Sequence, residues 1–381
     1  YPMDFIDEMF SYLSNYTKTV LPEGVFTSLL AEGIITGIGG VVIFIPQIVL
    51  LFMFISVLEE TGYMNRVVFL FDKRLKKYGL SGKSIIPLIS GVACAIPAVM
   101  STRNIDDWKQ RLITILVTPF MTCSARLPVY LILISVVIPD KYFFIFNYQG
   151  LTLLGLYVLG VLMALISAFV FSKVIKSNFK NHVIIEMPNY KIPVLKNVLF
   201  AIYSKTKSFV FEAGKIILSI SIFLWILASN GPGDNFKYAE EIIMERYDNK
   251  KNINELDYEI QSYRLENSYI GTAGKVLEPI LNPLGYDWKI GIAIITSFAA
   301  REVFVGTLAT IFSVGSEKMD TIKEKMSYQR KSNGELLFNL PTGVSLMVFY
   351  AFALQCMSTI AIVKKETNSW KWPAIQFTFM T

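Results

Sequence analysis

Three cysteines and a few charged residues stand where a hydrocarbon environment should exclude them. Cys94 lies in SGVACAIPAVMSTR, Cys123 in TPFMTCSARLPVY and Cys356 in FALQCMSTIA, all within apolar runs. Each has hydroxyl residues beside it and a methionine within six positions: Met100, Met121 and Met357. Thiolate and thioether sulfur suit soft or borderline transition metals, whereas Mg²⁺ and Ca²⁺ take oxygen. A nearby cation also favours the deprotonated thiol, because the metal sets the local charge. Two of the cysteines lie near prolines (Pro97; Pro119 and Pro128) that free backbone carbonyls. On spacing alone, the competing reading is that cysteine is a small residue tolerated where helices pack closely.

The charged residues are Arg126, Arg301 and Glu302, each inside an apolar segment. A charge at membrane depth costs about 2.5–3.5 kcal/mol on insertion scales, so three unpaired ones would cost roughly 8–10 kcal/mol. They must therefore face a helix-bundle interior or water. Glu302 is either half of a buried pair that locks helices or a group on a transport path, and Arg126 is expected to pair with it or with another acid. Glu59 and Glu60, at the end of the first apolar run, join Arg126 and Arg301 as candidates for gating ion pairs.

The elements that must position these groups are membrane helices. Hydrophobic residues make up 53% of the 381, in blocks of low charge. A helix rises about 1.5 Å per residue, so roughly 20 apolar residues cross a core about 30 Å thick. Eight segments are expected: 26–58, 84–100, 112–138, 151–172, 208–229, 290–313, 341–363 and 371–381, the last cut short. Gly39, Gly40 and Pro46 interrupt the first, and Gly91 and Pro97 the second, which suggests broken or re-entrant gate helices. The fold class expected is an all-α polytopic transmembrane bundle. Its organisation reads as an amphipathic lead-in (1–25), a first gate half (26–229), an extracytoplasmic acidic loop (230–289) and a second gate half (290–381).

The net charge of +6 resides in the connections. It reflects the cytoplasmic bias of Lys and Arg rather than nucleic-acid binding. Loop 173–207 carries seven Lys against one acid, and loop 230–289 eleven acids against seven bases, so the first is expected inside and the second outside. Alternating crossings put both termini in the cytoplasm. They also place the basic loop holding Arg66, Lys73, Arg74, Lys76 and Lys77 outside, against the charge bias, unless an adjoining segment is re-entrant. An odd cysteine count within apolar blocks argues against a disulfide framework. No signal peptide opens the sequence. The chain starts without Met and stops inside an apolar stretch, as a piece of a longer protein would.

These segments resemble the membrane domain of FeoB-type ferrous iron transporters. The likeness runs through GGVVIFIPQIVLLF (39–52), EETGYMNRVVFLFD (59–72), GLSGKSIIPLISGVACAIPAVMSTR (79–103) and RLITILVTPFMTCSARLPVY (111–130). It continues through FEAGKIILSISIFLW (211–225), LEPILNPLGYDWKIGIAIITSFAAREVFVGTLATIF (277–312) and LQCMSTIAIVKKET (354–367). The resemblance implies Fe²⁺ as cargo in a bacterial inner membrane, with Cys94 and Cys123 in the first gate regions and Cys356 on a late helix. Glu302 would offset charge, and Met121 and Met100 would add weak sulfur contacts. Some relatives carry Asn after the first gate cysteine where this chain has Ala95, so any amide role there needs another group.

The resemblance also implies an N-terminal GTPase using GTP and Mg²⁺, small cytoplasmic Feo accessory proteins as partners, and a possible homo-oligomer. The chain itself holds no complete phosphate loop: GLSGKS (79–84) ends correctly, but Lys77 stands where the first glycine belongs. The alternatives are a nucleoside-type solute carrier and a carrier of Zn²⁺ or Mn²⁺. Thiols alone would favour Zn²⁺ or Cu⁺. An enzyme is not expected, since Gly231–Asp234 (GPGD) follows a span and has no partner aspartate within another. His182 is the sole histidine, which excludes a HExxH zinc site.

Overall fold

A computed structural model describes residues 2–22, 24–143, 146–175, 190–246, 253–298, 301, 303–312, 323, 326–330, 336–354 and 356–381. The described chain is helical apart from a two-residue antiparallel pair, Tyr142–Phe143 with Phe146–Asn147, and an isolated bridge between Arg330 and Leu336. Among the described residues, five stretches are long and apolar enough to cross a membrane: Val25–Glu60, Trp108–Val137, Tyr148–Val174, Leu195–Ala228 and Leu340–Thr367. The other three expected segments fall short of that length. Two are folded as pairs of short helices, and the third is a single helix, Lys371–Met380.

The helices used below are α1 (Pro2–Val20), α2 (Thr36–Val42), α3 (Ile45–Glu60), α4 (Tyr63–Leu75), α5 (Ile85–Ala93), α6 (Ala95–Ser101), α7 (Trp108–Val117) and α8 (Leu127–Val137). They continue with α9 (Tyr148–Val174), α10 (Leu195–Ala228), α11 (Ile253–Glu266), α12 (Tyr269–Leu281), α13 (Trp288–Ser297) and α14 (Val303–Ile311). The last are α15 (Leu340–Phe352), α16 (Met357–Thr367) and α17 (Lys371–Met380). The chain forms two compact units: residues 1–124, 157–219 and 352–381, and residues 125–156 and 220–351.

In the first unit the opening apolar run is not one regular helix. A π-helical stretch, Leu29–Ile35, leads into α2, and α3 restarts with Pro46 in its first turn, where a missing N–H is harmless. Residues of α2, α3, α6, α7, α10 and α16 share one apolar cluster, including Val41, Phe52, Val99, Ile115, Phe209 and Val363. A second cluster joins α5, α7, α9 and α17 through Leu88, Val117, Ala164 and Met380.

One end of this unit collects chain that alternating crossings would separate. Lys191 N donates to Thr61 O (3.4 Å), Asn197 Nδ2 to Glu60 Oε1 (2.9 Å), and Arg66 stacks on Tyr190. Lys109 Nζ donates to Ser172 O (2.7 Å). Gly79, in the left-handed region at φ +78°, approaches so closely that a Cβ there would lie 2.1 Å from Ser172 Cβ. Arg103 and Arg111 both bind Glu366. Residues 60–66 and 79 thus lie close to 190–197 and 172 respectively, and 103–111 lie close to 366.

In the second unit, residues 230–289, a loop by hydropathy, are largely helical. Gly274 on α12 lets α13 approach; a Cβ there would meet Ile292 Cγ1 at 2.6 Å. The hydroxyls of Thr296 on α13 and Thr307 on α14 meet at 2.8 Å, so these two short helices pack against each other.

Candidate functional site

Each cysteine lies at or next to an interruption of a helix. Cys94 is the extended residue (φ −155°, ψ 134°) that ends α5 and begins α6. Cys123 follows Met121 (φ −61°, ψ 127°) in the irregular stretch between the 3₁₀ turns Thr118–Phe120 and Ser124–Arg126. Cys356 (φ −130°, ψ 102°) is the N-cap of α16 after α15 stops at Phe352. All three are partly buried and outside any disulfide, in the same compact unit.

Proline chemistry accounts for two of these breaks. Pro97 has no N–H for the carbonyl of Ala93, and Ser124 Oγ donates to that oxygen instead (2.9 Å). Pro119 likewise deprives Ile115 O, which accepts from Gln376 Nε2 (3.2 Å), as does Leu116 O (2.9 Å). The carbonyls expected to be freed for a cation are therefore already capped by side chains. Gln47 Nε2 in turn donates to Ser124 Oγ.

These bonds fix where the cysteines lie. Ser124 adjoins Cys123 and Ala93 adjoins Cys94, so one hydroxyl ties the two segments together. Lys83 Nζ meets Asp106 Oδ2 at 2.6 Å, and midway between them in sequence is Cys94, at the tip of a helical hairpin formed by α5 and α6. The third cysteine is placed by a clasp. Glu366, with its side chain 3% exposed, accepts from Arg103 Nη2 (2.5 Å) and Nε (3.0 Å) and from Arg111 Nη2 (2.8 Å). Helices α6 and α16 pack together. Counting back from the clasp at about 1.5 Å per residue, Cys94 and Cys356 lie roughly 14 and 15 Å away, at comparable depth.

Among the described residues no three of His, Cys, Asp and Glu converge as a metal cluster. The three cysteines belong to one compact unit without closing a ligand shell. Met100 and Cys94 both pack against the first apolar cluster, and Met121 packs against the second. Thr122, next to Cys123, and Ser358, two positions beyond Cys356, are each 2% exposed and carry hydroxyl oxygens with no hydrogen-bond partner among the described residues.

The charged candidates divide between the units. Glu59 helps line a cavity of about 180 Å³ with Met100, Ser101, Arg103, Asn104 and Lys205, while Glu60 binds Asn197. Arg126 is fully buried in the second unit, and there Arg301 is 5% exposed, with Nη1 directed at Tyr350 O (3.5 Å). Glu302 lies outside the described residues, and with it the expected pair with Arg126.

Sequence reasoning missed Gln47, Ser124, Gln376 and the Arg103–Glu366–Arg111 clasp. A signal existed for Gln47 and Gln376, since an amide in an apolar membrane run needs a partner. Ser124 and the clasp depend on chain reversal that hydropathy does not report.

The family described as "Gate: Nucleoside recognition" matches residues 41–136 and 210–370, and "Ferrous iron transport protein B C terminus" matches 153–205. An Fe(2+) transporter FeoB of Leptospira interrogans is 47% identical over 382 residues, covering 100% of this chain and 52% of its own length. One of Helicobacter pylori is 36% identical over 388 residues, 99% of this chain and 58% of its own. An Fe(2+) transport protein A/Fe(2+) transporter FeoB fusion protein of Porphyromonas gingivalis is 37% identical over 389 residues, 98% of this chain and 45% of its own. The chain thus spans about half the length of these curated relatives. No solved structure matches it.

Proposed function

The chain belongs to the Gate family and, by matches along its whole length, to the FeoB-type membrane domains, and from that premise we propose that it carries ferrous iron across a membrane. The observation that carries the reading is the grouping of three thiols at helix interruptions in one compact unit. Fe²⁺ would shed water onto Cys94 and Cys123, then Cys356, with Met100 and Met121 giving weak sulfur contacts and Glu302 offsetting charge. Arg126 and Arg301, with Glu59 and Glu60, would supply the ion pairs that change as the path opens.

The hairpin of α5 and α6 is read as re-entrant. Helix α5 has 9 residues, which at about 1.5 Å each rise roughly 14 Å, near half of a hydrocarbon core of about 30 Å. A hairpin of that reach starting from one surface brings Cys94 close to the membrane middle, where transporter sites form at broken helices. The turn between α13 and α14 is the corresponding device in the second unit. The free hydroxyls of Thr122 and Ser358 would add oxygen to the sulfur donors, which shifts preference from Zn²⁺ or Cu⁺ toward Fe²⁺.

Residence in the bacterial inner membrane, GTP control from a part of the protein outside this chain, and homo-oligomer formation belong to the same proposal. So does a small Feo accessory partner, supported by the fused relative of P. gingivalis. The test is Fe²⁺ uptake by the full-length protein in proteoliposomes. Cys94→Ser and Cys123→Ser are each expected to slow it by about ten-fold or more, as loss of metal-site groups does. Undiminished uptake at normal protein levels would remove the ligand role. The family description favours a nucleoside as the second reading, so a nucleoside in excess should neither enter nor compete.

A further inference from the structure

Gln47 is a polar side chain in the first turn of α3, within the longest apolar stretch of the first unit. Its hydrogen bonding can be deduced without ambiguity. Ser124 has one hydroxyl proton, and Ala93 O, a carbonyl, can only accept, so that proton goes to Ala93 (2.9 Å). Ser124 Oγ must then accept from Gln47, which therefore turns its NH₂ group toward Ser124. The orientation of the amide is thereby fixed, and Oε1 faces away from the serine. Among the described residues Gln47 Oε1 accepts no hydrogen bond, and it is not one of the buried atoms left without a partner.

We infer that Gln47 is a metal-contacting residue of the pathway, presenting a neutral amide oxygen beside Cys94 and Cys123. Two consequences follow from the relay. Gln47 holds the Cys94 tip and the Cys123 segment in register through Ser124. Its own oxygen would add a further hard donor, beside the hydroxyls of Thr122 and Ser358, to the sulfur of the cysteines. Because Fe²⁺ accepts mixed oxygen and sulfur ligands while thiolate-only sites select Zn²⁺ or Cu⁺, this oxygen favours iron. A neutral donor also adds no charge, so a divalent ion bound there can leave again. The inference rests on the reading of the chain as an iron pathway, and it concerns the selectivity of that pathway.

The experiment measures the ratio of Fe²⁺ to Zn²⁺ affinity by equilibrium competition on purified full-length protein under anaerobic conditions, with Fe²⁺ uptake recorded in parallel. In Gln47→Met, which keeps length without the amide, the ratio is expected to fall by about five-fold or more toward zinc. In Gln47→Glu, which keeps the oxygen and loses the donor to Ser124, the ratio should stay within about two-fold of the parent or rise. A ratio in Gln47→Met within about two-fold of the parent overturns the inference, even if uptake falls, because a merely structural amide would slow both metals alike. A parent protein that takes up no Fe²⁺ yet shows the shift on Gln47→Met would refute iron transport while leaving the metal contact standing.

Discussion

Asp287 is a partly buried carboxyl through which stability is expected to depend on pH. It precedes α13 as the N-cap, accepting from Ile290 N at 3.0 Å. Burial pushes its carboxyl up from the usual aspartate range, against the smaller opposing effects of that hydrogen bond and of Lys289. A raised folded-state value means the native state holds the proton more tightly than the unfolded chain. Its stabilising share is therefore complete below about pH 4 and is lost as pH rises through the folded value. Asn caps helices about as well as Asp. Asp287→Asn should therefore keep the cap and flatten this loss, seen as a smaller fall in Tm from acidic to neutral pH. Asp287→Ala should cost about 0.5–2 kcal/mol at every pH, because the cap itself is gone. At this scale the cysteines stood out by residue type, and the proposal of a metal role for them drew on the family resemblance. Gln47 and Ser124 were not, because their importance lies in a bond 77 positions apart in sequence.

At Pro97 and Pro119, where a proline takes away a backbone donor, a side chain from elsewhere in the chain bonds the carbonyl left over. Pro97 and Pro119 could be read from sequence as breaks. Their caps, Ser124 and Gln376, could not, since the first lies beyond the next helix and the second near the end of the chain. Gln376 is fully buried, with both of its contacts on Ile115 and Leu116. Replacing it by Leu leaves the Ile115 carbonyl buried and unsatisfied, which costs about 1–3 kcal/mol. A fluorescence-detected melting curve in detergent should show that loss. Lys83→Ala, which removes an ion pair whose partner Asp106 is 57% exposed, should cost at most about 1 kcal/mol. Equal effects of the two changes would mean that the amide is not capping the break. Hydropathy also overlooked the helices within 230–289, since short amphipathic helices hold too few apolar residues to register as spans.

At the scale of the whole unit, the basic loops and the hairpin explain each other. Alternating crossings left Arg66, Lys73, Arg74, Lys76 and Lys77 on the face that the positive-inside bias disfavours. On the proposed re-entrant reading, with the chain turning back at Cys94, they would share one end with Lys109, Lys191 and Lys196, which would remove the conflict. Hydropathy could not resolve it, because a run of 17 apolar residues such as 84–100 reads alike whether it crosses or returns. The contacts that decide are polar ones at its ends. Membrane-impermeant maleimide labelling checks this directly. Lys83→Cys and Asp106→Cys, introduced singly, should react from the same side of oriented vesicles, and from the side that labels Tyr190→Cys. The native cysteines, partly buried among helices, should label far more slowly and serve as the background. Reaction of the 83 and 106 positions from opposite sides would make 84–100 a full crossing, separate Cys94 from the clasp at Glu366, and remove the shared depth on which the pathway depends.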